Sequence, residues 1–138
     1  MIEPDSQQRG LAGEYYVAFT LSRLGYDVGI TIGRAKIFDM MVPGGSGKTV
    51  NLQVKSTYHG YDWLVTGKFE SNANSVVALV RLGQDAKQKP ELYFLPGARA
   101  NKLITHKYPR HSPRISRAGV QREFQDHDFR LIERLLGG

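Results

Sequence analysis

Three residues of types that suit metal-assisted hydrolysis lie on two neighbouring strand-like runs of the chain. Asp39 lies in the first run, residues 36–42, whereas Gln53 and Lys55 lie two apart in the second run, residues 48–56. Side chains alternate along a strand, so Gln53 and Lys55 should share one face of it. If the two runs pair as a hairpin, the acid comes close to the amide and the cation. An acid, a polar oxygen ligand and a cation at one place on a sheet indicate a metal-assisted phosphodiesterase site.

The segment between the two runs is glycine-rich and contains the sequence Gly44-Gly45-Ser46-Gly47-Lys48-Thr49. A phosphate-binding P-loop requires a glycine where this chain has Val42, and it requires a helix where residues 50–54 are strand-like. We therefore interpret the segment as a hairpin turn, in which Lys48 could still contact a backbone phosphate.

Residues 6–25 are predicted to form a helix, with Gly25 as its stop. Glu14, Val17, Leu21 and Leu24 fall on one face at helical spacing, which would direct the Glu14 carboxylate toward the sheet. Two interpretations of Glu14 stay open. Either it is a first-turn glutamate favoured by the helix dipole, or it reaches the polar cluster on the hairpin.

The remaining elements follow from apolar runs and from turn residues. Residues 76–82 are almost continuously apolar, which predicts a central strand covered on both faces. The other predicted elements are strands at 26–32, 64–66 and 92–95, a short helix at 98–104, an extended basic loop at 105–119 and a final helix at 126–136.

Length and composition predict one globular domain spanning residues 1–138. The 138 residues are 41% hydrophobic and 23% charged, and no apolar run is long enough to span a membrane. The chain has no cysteine, which excludes disulfides, thiolate catalysis and cysteine-based zinc sites. The acidic N-terminus lacks the apolar region of a signal peptide, so we expect a cytoplasmic protein.

The positive charge is concentrated late in the chain. Residues 92–122 contain seven Lys or Arg and no acid, whereas the rest of the chain contains 12 basic and 13 acidic residues. Such asymmetry favours a polyanionic partner, and interleaved Tyr108, His106 and His111 suit nucleic acid. The alternative is a solvated basic loop that only aids solubility.

The residues with possible chemistry together resemble the PD-(D/E)XK nuclease superfamily, which includes many restriction endonucleases and the Holliday-junction resolvases. The matching residues are Gly10-x-x-Gly13-Glu14 on the helix, Asp39, and the run Gln53-Val54-Lys55. The resemblance covers residues 6–96 and leaves the basic segment 97–138 unmatched. It implies an α/β fold with a restriction-endonuclease-like core of the α-β-β-β-α-β type, in which helices flank a mixed central sheet.

The resemblance also implies a role for each residue of the site. Asp39 would bind Mg²⁺ or Mn²⁺ directly, Gln53 would stand in the place of the usual second acid, and the Val54 carbonyl would be a further ligand. Glu14 would complete the ion's shell, and Lys55 would orient the attacking water and offset transition-state charge. Gln53 brings no charge, and members of the superfamily with this Q-x-K variant either cut DNA or only bind it.

We therefore expect a metal-dependent endonuclease that hydrolyses DNA phosphodiester bonds, on branched or duplex DNA in repair, recombination or restriction. Two symmetric sites would handle such a substrate most simply, which predicts a homodimer. The alternatives are an inactive nucleic-acid-binding module on the same fold and a protein-interaction domain with a basic tail. The expected nucleic-acid-binding residues are Arg34, Lys36, Lys48, Arg99, Lys102, Lys107, Arg110, Arg114 and Arg117.

Overall fold

The computed structural model describes residues 3–33, 36–106 and 112–137. The helices in these ranges are α1 (Ser6–Arg23), α2 (Gly97–Leu103), α3 (Arg117–Gln121) and α4 (Arg130–Leu135), with a 3-10 turn at Gly45–Gly47. The strands are β1 (Gly29–Ile30), β2 (Met40–Pro43), β3 (Thr49–Tyr58), β4 (Trp63–Leu64), β5 (Ser75–Leu82), β6 (Glu91–Pro96) and β7 (Arg114–Ile115).

The central sheet has five strands in the order β1-β2-β3-β5-β6. Strands β3 and β5 are parallel, whereas the other neighbours are antiparallel, and β4 pairs with β7 in a separate small sheet. The predicted hairpin is present, with Met40 opposite Leu52 and Pro43 opposite Thr49. The expected mixed α/β fold, with helices flanking a mixed sheet, is thus confirmed. The parallel connection, residues 59–74, all of which the structure describes, contains the short strand β4 and no helix, so the α-β-β-β-α-β order that the resemblance implied differs from the structure at this crossover.

Both faces of the central sheet are covered. Val76, Ala78 and Val80 of β5 pack in a cluster with Val17 and Leu21 of α1, on what we call the α1 face. Val77 and Leu79 pack on the opposite side, which we call the β4 face, and their neighbours there include Trp63, Tyr93 and Ile115. The continuous apolar run predicted a strand buried on both sides, and β5 confirms it. Burying each valine or leucine side chain of this strand contributes about 1.5–3 kcal/mol.

The start of α1 is fixed by reciprocal capping. The Asp5 carboxylate accepts a hydrogen bond of 2.8 Å from the Gln8 amide, and the Gln8 side chain accepts one of 2.9 Å from the Asp5 amide. The helix ends at Arg23, and Gly25 follows with a φ of 93°, which suits glycine. Leu24 was predicted to face the core but is exposed, because the helix has ended before it.

Three predicted elements differ from the structure. The strand predicted at 26–32 is limited to Gly29–Ile30, and the loop predicted at 105–119 contains β7 and the start of α3. The burial of Ile115 and Val120 on the β4 face explains that structure, because both anchor the segment to the core. The final helix begins at Arg130 and not at 126, since Asp126 and His127 instead bond the backbone of Leu92.

Candidate active site

Asp39 lies where the pairing of β2 with β3 ends. Its backbone amide donates to the Leu52 carbonyl at 2.8 Å, and its carboxylate Oδ2 accepts from the Val54 amide at 2.7 Å. Leu52 and Val54 both direct their backbone groups toward β2, because alternate residues of a strand face the same neighbour. The Asp39 side chain therefore replaces the backbone carbonyl that a longer β2 would have offered.

Lys36 connects Asp39 to the α1 helix. Its Nζ lies 3.2 Å from Asp39 Oδ1 and 3.3 Å from Glu14 Oε1, and it also donates to the carbonyl of Thr31 at 3.4 Å. The three charged side chains are partly buried, with exposed fractions of 24% for Lys36, 19% for Glu14 and 18% for Asp39. The structure thus brings Glu14 and Asp39 together around one ammonium group.

The surroundings of Glu14 favour its protonated form. Burial raises the pKa of Glu14, and the charge and hydrogen bonding of Asp39 raise that pKa further, whereas Lys36 acts in the opposite direction. Burial alone would lower the pKa of Lys36, but the bonds and charges of Asp39 and Glu14 raise it overall. Two ionised carboxylates at this partly buried position repel each other, and a cation between them reduces that repulsion.

Gln53 is held by a different part of the chain. Its side-chain oxygen accepts a hydrogen bond of 2.9 Å from the amide of Glu70, and the adjoining Phe69 is bonded at both backbone groups by the Asn101 side chain of α2. In the register of β3 and β5, Gln53 lies opposite Val77. The amide side chain therefore ties β3 to the segment that precedes β5.

Lys55 lies two residues further along β3, opposite Leu79, and is partly exposed. Within the described ranges, no hydrogen bond or ion pair joins Lys55 or Gln53 to the carboxylates of Glu14 and Asp39. The structure thus gathers Glu14 and Asp39, with the Val54 backbone, at one point. It places Gln53 and Lys55 in register with Val77 and Leu79, which lie on the β4 face, whereas the neighbouring Leu52 and Val54 pack on the α1 face from which Glu14 approaches.

The cations expected to bind nucleic acid have different surroundings. Arg99 forms an ion pair with Glu123 at 2.6 Å, and Arg117 forms one with Glu91 at 3.0 Å. Lys48 and Lys102 are exposed, and Arg114 is partly buried and donates to the Ser112 carbonyl. Arg34, Lys107 and Arg110 lie outside the described residues.

The sequence did not predict the contacts that two residues near this site, Lys36 and Gly13, make in the structure. Lys36 was expected on the nucleic-acid surface, and its i,i+3 spacing from Asp39 was no signal for an ion pair, because that spacing brings side chains together only on a helix and residues 36–39 are not helical. Gly13 is buried against Ser56 of β3, where an added Cβ would lie 1.7 Å from the serine Oγ. A residue with no side chain at position 13 therefore lets the turn of α1 that carries Glu14 approach β3 closely.

The available oxygen atoms fit a hard cation. Among the residues that the structure describes, no three His, Cys, Asp or Glu side chains come together. A pair of carboxylates is nevertheless the usual protein contribution to a Mg²⁺ site, because the ion retains waters and takes further oxygens from a phosphate. The repulsion between Glu14 and Asp39 would be relieved by a divalent ion in the same way as it is by Lys36.

Comparison with known proteins bears on the fold. The chain is similar in structure to a bacterial homing endonuclease, I-Ssp6803I, with a TM-score of 0.55 and 13% sequence identity, over 82% of this chain and 78% of that one. The fold is nuclease-like. At this identity the likeness concerns the fold alone, so catalysis must be argued from the residues.

The sequence itself matches no protein-family model and no curated protein. In the part of the chain that the structure describes, no helix has the length and apolar character that crossing a membrane requires.

Proposed function

We propose that this protein is a Mg²⁺- or Mn²⁺-dependent endonuclease that hydrolyses DNA phosphodiester bonds. The observation that supports the proposal is the convergence of the Glu14 and Asp39 carboxylates beside β3 in a nuclease-like fold. The similar structure is that of a homing endonuclease, a protein whose name denotes cutting of DNA. The pattern of Asp39, Gln53 and Lys55 further supports membership of the PD-(D/E)XK superfamily as a Q-x-K variant.

Each residue of the proposed site has a distinct task. Glu14, Asp39 and the Val54 carbonyl would hold the ion, with Gln53 as a neutral oxygen ligand. When bound, the ion would polarise the scissile phosphate. Lys55 would orient the attacking water and offset the negative charge that develops on the phosphate oxygens.

The substrate and assembly follow from the same proposal. Lys48 and Lys102 would contact the DNA backbone, together with the basic residues outside the described ranges, whereas Arg99 and Arg117 would have to exchange a carboxylate partner for a phosphate. Duplex or branched DNA would be served by two symmetric sites, so the active form would be a homodimer. A cytoplasmic protein acting in repair, recombination or restriction would meet such DNA.

The decisive experiment compares the wild-type protein with Asp39→Asn on labelled linear and branched DNAs in Mn²⁺. Asparagine retains an oxygen that can accept from the Val54 amide but removes the charge, and Asp27→Asn, at an exposed position, serves as the control. We expect cleavage by the wild type and by Asp27→Asn, and a loss of at least about a hundredfold in Asp39→Asn. Equal cleavage by all three proteins would refute the assignment of Asp39.

One observation favours a second function, that of a non-catalytic nucleic-acid-binding module. The Gln53 oxygen brings no charge to the site and already accepts the Glu70 amide. Calorimetry with millimolar Mn²⁺ distinguishes the two functions. An endonuclease should bind the ion in a manner that Asp39→Asn abolishes, whereas a binding module should bind DNA with steep salt dependence and show no such metal binding.

A further inference from the structure

The surroundings of the Lys36 ammonium are those of a cation site. Three oxygen atoms from three separate segments lie around Nζ: Glu14 Oε1 at 3.3 Å, Asp39 Oδ1 at 3.2 Å and the Thr31 carbonyl at 3.4 Å. Two carboxylates and a backbone carbonyl are also the types of ligand that hard divalent cations take from proteins. The ammonium thus lies among the oxygens that the proposed function assigns to the metal ion.

A divalent ion and the ammonium compete for these oxygens. Mg²⁺ binds oxygen at about 2.0–2.1 Å, so an ion held by Glu14 and Asp39 would lie within a few ångströms of Nζ. Two positive groups at that separation repel strongly in a partly buried site, and the carboxylate lone pairs used for one are lost to the other. The lysine is able to leave, because its stem has four flexible carbons and its side chain is 24% exposed.

We infer that Lys36 is a built-in competitor of the catalytic metal ion: its ammonium holds the Glu14–Asp39 pair together without metal, and metal binding expels it toward the DNA backbone. This inference rests on the proposed function and deepens it, because it makes metal binding and the release of a phosphate-binding cation one event. Lys36 would thereby weaken intrinsic metal affinity and couple occupancy of the site to DNA binding.

Amine labelling of the wild-type protein tests the inference without any substitution. The protein is treated with a trace of an acetylating N-hydroxysuccinimide ester in EDTA and again at saturating Mn²⁺, and the modification of each lysine is read by mass spectrometry. We expect labelling of Lys36 to rise several-fold with Mn²⁺, because the ammonium is freed from its oxygen partners. Lys89, which is exposed and forms no ion pair with Glu14 or Asp39 among the described residues, is the internal reference and should label equally in both conditions.

Calorimetric titration with MnCl₂ in the absence of DNA provides the second measurement. Lys36→Met should bind Mn²⁺ at least about tenfold more tightly than wild type, whereas Lys36→Arg and the control Lys89→Met should remain close to it. Lys36→Met should also melt at a lower temperature than wild type in EDTA, because two carboxylates are left without a counter-ion, and should gain more from Mn²⁺.

The outcomes separate the inference from the function on which it rests. Metal binding that Asp39→Asn abolishes, with unchanged Lys36 labelling and no gain in Lys36→Met, overturns the inference and leaves the endonuclease proposal standing. Absence of metal binding in both the wild type and Lys36→Met overturns both. Increased Lys36 labelling with tighter binding by Lys36→Met supports both.

Discussion

The amide of Val54 donates a hydrogen bond of 2.7 Å to the carboxylate of Asp39, fifteen residues earlier in the chain. This bond places a carboxylate at the end of the β2–β3 ladder, where a backbone carbonyl would otherwise lie. Oδ2 is engaged by the strand, whereas Oδ1 faces Lys36. The side chain is therefore oriented by the sheet before any ligand arrives, which is the preorganisation that an electrostatic site requires.

Removing that acceptor should cost stability in a graded manner. Asp39→Ala leaves the partly buried Val54 amide without its partner, which should lower the free energy of unfolding by about 1–3 kcal/mol. Asp39→Asn keeps an oxygen acceptor and should cost less than Asp39→Ala. Urea denaturation of the two variants beside Asp27→Ala provides the measurement. Equal stability of Asp39→Ala and wild type would show that water replaces the carboxylate without loss.

Two glycines of α1 should respond oppositely to alanine. At Gly13 a Cβ would lie 1.7 Å from Ser56 Oγ and 2.9 Å from Ser56 Cβ, so Gly13→Ala should separate helix and strand and cost about 1–3 kcal/mol despite better helix propensity. At Gly10 nothing lies within 4 Å of an added Cβ, so Gly10→Ala should stabilise by about 0.5–1 kcal/mol.

Thermal melting of Gly13→Ala and Gly10→Ala in parallel tests that difference. Gly13→Ala should also reduce metal affinity, since the displaced helix carries Glu14. A stabilised Gly13→Ala protein would show that Ser56 rotates away and that the close approach is not required.

A change of charge at position 53 distinguishes a metal-ligand role of Gln53 from a purely structural role. Gln53→Glu keeps an acceptor for the Glu70 amide and adds a negative charge to the proposed site. If Gln53 is a metal ligand, this variant should bind Mn²⁺ more tightly, whereas Gln53→Ala should bind more weakly and lose about 1 kcal/mol of stability through the broken bond to Glu70. Calorimetry and urea denaturation measure the two effects. Unchanged Mn²⁺ affinity in both variants would restrict Gln53 to holding the Glu70 segment.

Acid should destabilise the protein through Glu91. Burial by itself would raise the pKa of this carboxyl, but hydrogen bonds from Arg117, Tyr93 and Arg81 outweigh burial and lower it. A carboxyl whose pKa is lower in the folded protein than in the unfolded chain stabilises the fold when it is ionised. This contribution is complete at pH values above the pKa in the unfolded chain, about 4.5, and it is lost as the pH falls through the lower pKa of the folded protein. Urea denaturation between pH 6 and pH 3 should therefore show a decline that Glu91→Gln reduces. An equal slope in both proteins would place the acid sensitivity elsewhere.

The sequence predicted the fold correctly where the local pattern of apolar residues matches the burial of those residues in the folded protein. The apolar run of β5 predicted a strand covered on both faces, and the turn at Gly45–Gly47 joins a hairpin whose strands were predicted within a few residues. The predicted start of the final helix at residue 126 was wrong, because the backbone amide of His127 bonds the carbonyl of the distant Leu92 instead of entering the helix. No local periodicity encodes such a long-range contact.

For the candidate site, the sequence predicted part of the arrangement, namely that Glu14 and Asp39 lie near each other. Helical spacing placed Glu14 near the face of α1 that meets the sheet, and motif spacing selected Asp39 on the neighbouring hairpin. The sequence could not place Lys36 between the two carboxylates, since a lysine in a polar segment is ordinarily a surface residue. It also gave no sign that the Gln53 oxygen bonds the Glu70 amide, which depends on how the chain returns from β3 to β5.

The chain's one tryptophan, Trp63, is completely buried on the β4 face and donates its indole N–H to the Val80 carbonyl at 2.9 Å. Its fluorescence should therefore be blue-shifted in the native protein and shift to longer wavelength when the fold opens. The sheet separates this indole from Glu14 on α1, whereas Gln53, the proposed neutral ligand, bonds the Glu70 amide next to Phe69 on the same face as the indole. A single intrinsic probe thus reports folding in unlabelled protein, and a change in its emission on adding a divalent ion would show that the β4 face takes part in binding.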